Sequence, residues 1–592
     1  MTASLPRIPW QVTGNHWVSL PCIHPADASL HMVGAVHAAS RAAVEFAGGP
    51  GFIDGDAPAL VRIAVEIDGE RASIGSEGIA WERESGWIPA FSCRLGALVL
   101  RGSICAPHDK AGDIAGAVIS MSVENRSDKP VDLRIGLEGT LGHRQVRVRT
   151  ARAFSDVHVV VAGGDTSVVL AGAGAESPMA LVVGGEGDFD LGLMESSASW
   201  SLNRSMRLEA GESHDAFFHL AAGAERDGAA AMLRVMRRRG GSAMIEATRA
   251  ALREMEPASG NTAADRLIAR HVFFCYFMSV ARAIDESHWY VVRSRIPWNE
   301  RGLTIRDWDA LMCVLPAVQL VDHGLAREIL LRICELHGYS PGGGVHYLDG
   351  AVFEPGFCLE GAAAFAIAAD AYIVATSDDK IVEEPVLAES LYASHDDMQT
   401  RRDSRFPLYS TEVNPDGTMP IHRYTAHGNA VAALALDILR HTLDEKTSEK
   451  IEDPAAVRAA LIRHFSGVQP KATLHASIDL AGESAATDNP SASLYWLPYF
   501  DLLQRDDSIY RRTVKQLDLL EPSELVVRCA RLLGPSGDTA FDWLRRAPLD
   551  GGFASELVDP DGKAVASGGD AALSGLIAHT LWYSVHALGV KG

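Results

Sequence analysis

Residues 226–256, RDGAAAMLRVMRRRGGSAMIEATRAALREME, mark the point at which the hydrophobic period of this chain changes. Apolar residues in this stretch recur every three to four positions, and that spacing predicts helices. The pattern is interrupted at Gly240-Gly241 and ends before Pro257, because glycine and proline disfavour a helix interior. We therefore interpret 226–262 as a helical linker between two regions of different structure.

The residues before the linker show the pattern of β-strands. Apolar and polar residues alternate along 61–68 (VRIAVEID), 119–124 (ISMSVE) and 131–137 (VDLRIGL). Such alternation gives each strand one apolar face, and turn residues follow at short intervals. One apolar face per strand, repeated many times, predicts a large antiparallel β-sandwich over residues 1–225.

The residues after the linker, 263–592, alternate Ala- and Leu-rich helical patterns with longer loops rich in glycine and aromatic residues. Helices with little polar surface are expected to pack on two sides. Helical hairpins over this length can close into an α/α toroid, and no short solenoid repeat is visible. The predicted helices cover 263–283, 308–322, 325–337, 358–375, 427–442, 453–465, 491–504, 523–533 and 571–588.

The composition argues against several classes of partner. The chain has 592 residues with 54 basic and 76 acidic side chains, and its formal net charge is −22. Because phosphates need a basic surface, we expect no nucleic-acid or membrane partner. The first residues lack an apolar stretch of signal-peptide length, so we expect a cytoplasmic protein. The eight cysteines include no CxxC pair, which disfavours a disulfide framework or a structural zinc site.

The first group of candidate site residues is PWNERGLTIRDWDAL, residues 297–311, which runs from a loop into a predicted helix. It brings two carboxylates and two tryptophans, Trp298 and Trp308, to the start of one helix. Asp307 can be explained as the helix N-cap, a position at which aspartate is common. A cap does not explain Asp309, which is therefore a candidate functional carboxylate.

The second group lies in 408–417 (LYSTEVNPDG) and 423–429 (RYTAHGN), ahead of another Ala- and Leu-rich helix. Its Tyr, Arg, His and Asn side chains are the types that a sugar-binding loop needs. The plainer alternatives are an ordinary turn at Pro415-Asp416-Gly417 and a helix cap at His427. His422 and His427 lack a third ligand nearby, so we expect no metal.

The third group is DGGFASELVDPDGK, residues 550–563, which precedes the last predicted helix. A glycine-rich approach leads to Glu556, and a tight turn follows it. Taken alone, this segment could equally be a surface hairpin with a solvated glutamate.

Together these features resemble the six-hairpin glycosidases, in particular the group of trehalase, processing α-glucosidase I and bacterial relatives acting on glucosyl or mannosyl compounds. Trp308-Asp309 is similar to the Trp-Asp motif that carries their general acid. Glu556 stands, like their general base, before a C-terminal turn, and Trp496-Leu-Pro-Tyr499 resembles an aromatic segment between the two acids. The resemblance implies an N-terminal antiparallel β-sandwich followed by an (α/α)6 toroid.

The function implied by this resemblance is an exo-acting, inverting glycoside hydrolase with Asp309 as general acid and Glu556 as general base. The favoured substrate is a terminal α-glucosyl or α-mannosyl group of an oligosaccharide or small glycoside, without cofactor or metal. Leu557 replaces an aromatic residue that usually follows the base, so Glu412 is the reserve candidate for that role. The expected sugar-binding residues are Trp298, Arg306, Asp307, Trp308, Glu412, Asn414, Tyr424, His427, Trp496 and Tyr499.

Three alternatives remain open at the level of the sequence. A glycoside phosphorylase keeps the acid and replaces the base with a phosphate site. A polysaccharide lyase would use Tyr, Arg or His chemistry, which Arg423-Tyr424 and His427 can supply. A carbohydrate-binding protein without catalysis would need neither carboxylate. The sequence specifies neither the sugar, anomer and linkage nor the oligomeric state.

Overall fold

A computed structural model describes residues 5–109, 114–149, 151–153, 158–172, 178–194, 197–467, 472–487 and 493–590. The chain divides into two compact units. The first consists of Met1–Glu256, Val280–His288 and Arg295–Leu303, and the second of Pro257–Ser279, Trp289–Ser294 and Thr304–Gly592.

Strands dominate the first unit. They are β1 (Gln11–Gly14), β2 (Val18–Ile23), β3 (Met32–His37), β4 (Ala42–Ala47), β5 (Arg62–Ile67), β6 (Glu70–Arg71), β7 (Ala80–Glu84), β8 (Ile88–Leu95), β9 (Leu98–Cys105), β10 (Gly116–Asn125), β11 (Val131–Thr140), β12 (His143–Arg147), β13 (Ala151–Ala153), β14 (His158–Gly163), β15 (Ser167–Gly172), β16 (Ala180–Gly185), β17 (Asp190–Met194), β18 (Ser199–Leu208), β19 (Ser213–Gly223) and β20 (Val280–Arg282). Within the described residues, antiparallel pairing gives sheets of order β1-β2-β3-β4-β12-β13, β14-β15-β16-β19-β10-β9-β8-β7 and β17-β18-β11-β5-β6.

The core of the first unit lies between these sheets. In β10, Ile119, Met121 and Val123 are buried in one hydrophobic cluster with Val65 of β5 and Phe218 of β19. Those of β5 and β10 come from the alternating positions that predicted half-buried strands. The predicted antiparallel β-sandwich is confirmed.

The residues interpreted as a linker form two helices, α1 (Arg226–Arg239) and α2 (Gly241–Glu254). Gly240 separates them with φ 83°, a conformation that glycine adopts without a steric penalty. Helix α1 packs on β16 and β19, and α2 packs on β10. Both helices therefore cover a sheet of the first unit.

Helices dominate the second unit. They are α3 (Thr262–Met278), α4 (Leu315–Gln319), α5 (His323–His337), α6 (Leu359–Thr376), α7 (Pro385–Thr400), α8 (Ala426–Thr442), α9 (Glu445–Ser448), α10 (Pro454–Phe465), α11 (Ser508–Leu517), α12 (Leu525–Ala530), α13 (Gly537–Arg546) and α14 (Ala571–Leu588). Short strands lie in its loops: β21 (Trp289–Val291), β22 (Ile305–Arg306), β23 (Gly344–His346), β24 (Val352–Pro355), β25 (Tyr424–Thr425), β26 (Ser477–Ile478), β27 (Ser484–Ala485), β28 (Leu557–Val558) and β29 (Ala564–Ala566).

The first and last long helices of this unit, α3 and α14, pack directly against each other. Phe274 of α3 stacks on Phe553, which precedes α14, with ring centroids 4.2 Å apart. Contact between the ends of the helical region is what closure into a ring requires. The predicted toroid is confirmed, and closure brings the early and late loops of the unit together.

Helix α6 is the most apolar long helix among the described residues. Its mean hydropathy of 1.4 over 18 residues would suit a membrane span, but 67% of that window is buried inside the protein. It packs between α7 and α8, so its apolar surface is covered by neighbouring helices.

Three predicted helices differ from the structure. The helix predicted over 263–283 ends at Met278, and Val280–Arg282 forms β20. Residues 308–322 begin as a π-helix, Asp309–Val314, before α4. In 491–504, of which 491 and 492 lie outside the described residues, only Leu494–Trp496 is a short 3-10 helix. Asp501, with φ 52°, takes the left-handed conformation that ends the helical path there.

Candidate active site

One buried arginine of the second unit, Arg293, contacts three carboxylates. Its Nη1 lies 2.6 Å from Asp309 Oδ1, and its Nη2 lies 3.5 Å from Glu556 Oε1. Its Nε and Nη2 donate to Asp570 Oδ2 at 2.9 and 2.7 Å. We call these four residues the Arg293 cluster. Asp309 and Glu556, which lie at opposite ends of the helical region, therefore meet at one guanidinium.

Short structural elements place each member of the cluster. Arg293 follows β21, Asp309 opens the π-helix, and Glu556 precedes β28. Asp570 is the N-cap of α14, and its Oδ1 accepts the Leu573 N–H at 2.9 Å. The π-helix packs closely on α14. Single π turns inside helices are frequent at functional sites.

The four side chains differ in exposure. Arg293 and Asp309 side chains are each 9% exposed and that of Asp570 is fully buried, whereas the Glu556 side chain is 25% exposed. Water can therefore reach Glu556 more readily than its partners. That difference suits a carboxylate that activates a water molecule.

Three carboxylates around one guanidinium leave an excess of negative charge if all are ionised. Burial lowers the pKa of Arg293, but the charges of Asp309, Asp570 and Glu556 outweigh burial and raise it. Burial raises the pKa of Asp570, and the charge of Glu556 adds to this against the opposing effect of Arg293. The cluster thus favours holding a proton among its acids, as a pair of acid and base requires.

The common contact with Arg293 sets an upper limit on the spacing of the two predicted catalytic carboxylates. Glycosidases that use two carboxylates separate them by roughly 5–9.5 Å. Oxygens of Asp309 and Glu556 both contact one guanidinium, so they cannot lie farther apart than the upper end of that range.

Asp307, predicted to bind sugar, is engaged elsewhere. Its Oδ1 lies 2.9 Å from His337 Nδ1 and 3.5 Å from His346 Nε2, and its Oδ2 accepts the Gly342 N–H at 2.7 Å. The carboxylate is 1% exposed. Both of its oxygens are therefore occupied, and the interpretation as a helix cap does not hold either, since no side chain caps the π-helix. We call Asp307, His337 and His346 the Asp307 cluster.

The Asp307 cluster offers the two nitrogens and one oxygen that a metal site could use. However, the two imidazole rings are stacked, with centroids 4.1 Å apart and planes inclined by 13°. A metal ion binds in the plane of an imidazole at about 2.0–2.1 Å from nitrogen. Two nearly parallel, separated ring planes have no such point in common, so the arrangement does not suit a metal ion.

A second buried carboxylate pairs with His427. Nδ1 of this histidine lies 3.1 Å from Glu360 Oε1, and both side chains are at most 1% exposed. His427 Nε2 has no hydrogen-bond partner among the described residues. Thr425 caps α8 by accepting the Gly428 N–H, so His427 is not the cap of this helix.

Aromatic rings connect His427 to the predicted sugar-binding residues. Trp308 and Phe500 meet its ring edge to face, at 5.5 and 5.3 Å between centroids. Phe500 also contacts Trp496 at 6.3 Å. Tyr499 packs on Trp496, but its hydroxyl lies 3.0 Å from His579 Nε2. Trp308, His427 and Trp496 therefore share one aromatic cluster.

Arg306, Tyr424 and Glu412 were also predicted to bind sugar, and each of them contacts a different partner. Arg306 packs against the turn that holds Asn414, where a Cβ on Gly417 would lie 2.1 Å from the guanidinium. Tyr424 donates its hydroxyl to Asp403 at 2.9 Å. Glu412, the reserve base, accepts hydrogen bonds from the Phe357 N–H and from Arg401 at 2.9 and 2.7 Å.

Glu412 and Trp298 differ in exposure. Glu412 has a side chain that is 53% exposed and paired with Arg401. Trp298 is buried and belongs to the first unit, in the segment Arg295–Leu303.

Three residues of these clusters were not predicted from the sequence: Arg293, Asp570 and Glu360. Arg293 stands in an apolar stretch, YVVRSRIPW at 290–298, where a charged residue signals a buried ion pair. Glu360 likewise interrupts an apolar run, FCLEGAAAF at 357–365. Asp570 was recognisable as a residue immediately before a predicted helix, a position that predicts an N-cap.

No protein-family profile matches this sequence, and no curated protein is similar to it. The structure, however, is similar to solved structures. A protein described as a kojibiose phosphorylase from the human microbiome matches over 99% of this chain and 86% of its own, with 11% identity and TM-score 0.57. A bacterial glucoamylase in complex with acarbose matches over 100% and 95%, with 9% identity and TM-score 0.60. The chain has the six-hairpin glycosidase fold. At such identities the six-hairpin similarity establishes architecture, so function has to be argued from the site.

Proposed function

We propose that this protein is a glycoside hydrolase that cleaves a terminal sugar by acid–base catalysis with two carboxylates. The observation that carries the proposal is the contact of Asp309 and Glu556 with the same buried arginine. The six-hairpin fold and its occurrence in a glucoamylase and a kojibiose phosphorylase support a carbohydrate substrate.

Glu556 is the proposed general base. It is the most exposed acid of the Arg293 cluster, and Arg293 favours its ionised form. An ionised carboxylate with access to water can activate that water for attack on the anomeric carbon.

Asp309 is the proposed general acid, and its contact with Arg293 at 2.6 Å makes a stringent test necessary. A general acid must carry a proton when the glycosidic oxygen leaves. Sharing of a proton within the Arg293 cluster can supply the acid form. Glu360, buried beside His427, is the second carboxyl to be tested for this role.

The finer parts of the proposal follow from the resemblance of the sequence to the six-hairpin glycosidases. They are exo action, inversion and an α-glucosyl or α-mannosyl group as the favoured glycone.

A glycoside phosphorylase is the second candidate, because one structural neighbour is described as a phosphorylase. Such an enzyme would need phosphate in place of the base. In this chain position 556 is a glutamate in contact with Arg293, which favours the hydrolase.

The test is release of monosaccharide from a panel of α- and β-linked disaccharides and glycosyl-glycerates, with and without phosphate. Glu556→Gln is expected to lower kcat by about 10²–10⁴-fold, the usual contribution of a positioned acid or base. Asp309→Asn and Glu360→Gln are compared directly. The general acid is the residue whose replacement lowers kcat least for substrates with activated leaving groups. Proton NMR of the first product reports its anomeric configuration. Full activity of Glu556→Gln, or strict dependence on phosphate, would contradict the hydrolase proposal.

A further inference from the structure

The Asp307 cluster lies immediately beside the proposed catalytic acid along the chain, yet it binds no substrate in the scheme above. Asp307 is two residues from Asp309 and one from Trp308, so anything that fixes its carboxylate also fixes this segment. Its partners come from separate elements: His337 ends α5 and His346 lies in β23.

Backbone contacts reinforce the same connection. His346 pairs with Ile305 in the ladder of β22 and β23, and the Gly342 N–H donates to Asp307. The cluster therefore connects the end of one helix, a turn and a strand to the segment that starts the π-helix.

The hydrogen-bond partners define where protons sit on His346. Its Nδ1 lies 3.0 Å from the Gly350 carbonyl, which can only accept, so this nitrogen carries a proton. Its Nε2 lies 3.5 Å from Asp307 Oδ1, an ion-pair distance without hydrogen-bond geometry. A negative charge so close in a buried site favours a second proton on the ring, at Nε2.

His337 is the second hydrogen-bond donor to Asp307. Its Nδ1 lies 2.9 Å from the same oxygen of Asp307 and donates to it. A second positive charge on His337 would be stacked 4.1 Å from the ring of His346. One imidazolium and one neutral imidazole around one carboxylate leave the buried cluster without net charge.

We propose that His346 is a permanent imidazolium at neutral pH, and that its pair with Asp307, with neutral His337 as second donor, positions the Trp308–Asp309 segment for catalysis. These three are positioning residues. The role of the segment rests on the proposed function, whereas the charge state of His346 does not.

The pKa shifts agree with this distribution. Burial lowers the pKa of both histidines, but for His346 the contact with Asp307 outweighs burial and the pKa is raised. For His337 burial prevails and the pKa is lowered. The two histidines in turn outweigh burial at Asp307 and lower its pKa.

Other charged groups act on the cluster from the elements around it. Arg306 of β22 opposes protonation of His346, and Arg332 of α5 opposes protonation of His337. Cys334 and Cys358 are near Asp307, but burial raises the pKa of both thiols, that of Cys334 to about 12, so they stay neutral. Asp307 is thus the anion that holds the proton on His346.

The first experiment tests the charge state without any substrate. The full chain is labelled with ¹³C at histidine Cε1, and His346→Gln and His337→Gln identify the two resonances. We expect the His346 resonance to remain that of an imidazolium through pH 7 and to titrate above the ordinary histidine range, with His337 neutral. A neutral His346 at pH 6, or a stoichiometric bound metal in the purified protein, would overturn the proposal.

The second experiment tests positioning, with the substrate identified by the panel above. Gln at position 346 can donate to Asp307 but cannot titrate, and Leu can do neither. His346→Leu is expected to lower kcat by about 10–100-fold with little change in KM, the scale of a misplaced catalytic group. His346→Gln should keep most of kcat and lose the alkaline decline of kcat shown by the unsubstituted protein.

The two proposals fail in different ways. An inactive protein with the expected His346 titration contradicts only the glycosidase proposal. An active protein in which His346→Leu leaves kcat unchanged, or in which His346→Gln keeps the alkaline decline, contradicts the positioning role. Thermal unfolding of each folded variant identifies a loss of activity that is due to unfolding alone.

Discussion

The Arg293 cluster and the Asp307 cluster are both buried ionic groups of the second unit, but they balance charge in opposite ways. Three acids share one cation around Arg293, and one of these acids is a quarter exposed. Around Asp307 one acid is enclosed by two histidines, and nothing in the cluster is more than 4% exposed. The Arg293 cluster has more acids than cations and one of its acids is partly exposed, so it provides groups that can exchange protons. The Asp307 cluster is balanced in charge and buried, so it provides rigidity.

Replacing Arg293 by Met is the strongest way to break this comparison. It leaves three carboxylates without their cation, and removal of one partner of a buried ion pair costs about 3–5 kcal/mol. We expect unfolding at lower urea at pH 7, with partial recovery at acid pH as the carboxylates take up protons.

Arg293→Lys is the matched control for this substitution. It keeps a positive charge but cannot contact three carboxylates with a planar fork, so it should recover stability more than activity. Stability of Arg293→Met equal to that of the unsubstituted protein at pH 7 would show that the acids of this cluster are uncharged.

Replacing Asp307 by Asn has a smaller expected effect, because the amide keeps an oxygen that His337 can use. It removes the charge that holds the proton on His346, and a buried hydrogen-bonding group left with a poorer partner costs about 1–3 kcal/mol. Equilibrium urea unfolding measures the loss. Here stability should not recover at acid pH, and a recovery like that of Arg293→Met would mean that the two clusters do not differ in kind.

Most of the fold could be predicted because its helices and strands follow from the spacing of apolar residues along the sequence. The predicted helix 571–588 coincides with α14, and 453–465 differs from α10 by one residue. The helices at Pro385–Thr400, Ser508–Leu517 and Gly537–Arg546 were not predicted. The last two of these helices are short and carry many charged residues, so few apolar residues mark their helical spacing in the sequence.

The candidate site was predictable only in part, because its members meet through ring closure. Asp309 and Glu556 could be chosen from motifs near the ends of the helical region. Their connection through Arg293 depends on three-dimensional contact, which no local pattern contains. The contacts of Asp307 were likewise not predictable: Oδ1 lies near two histidines that are distant in sequence, and Oδ2 accepts the Gly342 N–H.

The pH dependence of stability tests the Asp307 cluster by a smaller expected effect. The pKa of His346 is raised in the folded state, so its contribution is fully present below the ordinary histidine pKa of about 6.5 and is lost as pH rises through the folded value. The pKa of His337 is lowered, so between its folded value and about 6.5 the unfolded state binds more protons and stability rises with pH.

Unfolding midpoints measured across this range should therefore decline on the alkaline side of pH 6.5. A tenfold difference in proton affinity between the folded and unfolded states corresponds to about 1.4 kcal/mol. His346→Gln should remove the alkaline decline, while His337→Gln should remove the acid-side rise and leave the decline. An unchanged alkaline decline in His346→Gln would assign it to another group.

The smallest expected effect belongs to Glu412→Gln, which provides an exposed reference for both buried clusters. Glu412 and Arg401 form an ion pair whose side chains are 53% and 34% exposed, and such pairs contribute about 0.2–1 kcal/mol. The hydrogen bond from the Phe357 N–H lowers the pKa of Glu412, and the glutamine oxygen can still accept it. We expect stability and kcat close to those of the unsubstituted protein, measured in the same urea and activity assays. A large fall in kcat for Glu412→Gln, together with full activity of Glu556→Gln, would move the base to Glu412 and leave the Arg293 cluster a purely structural group, no different in purpose from the Asp307 cluster.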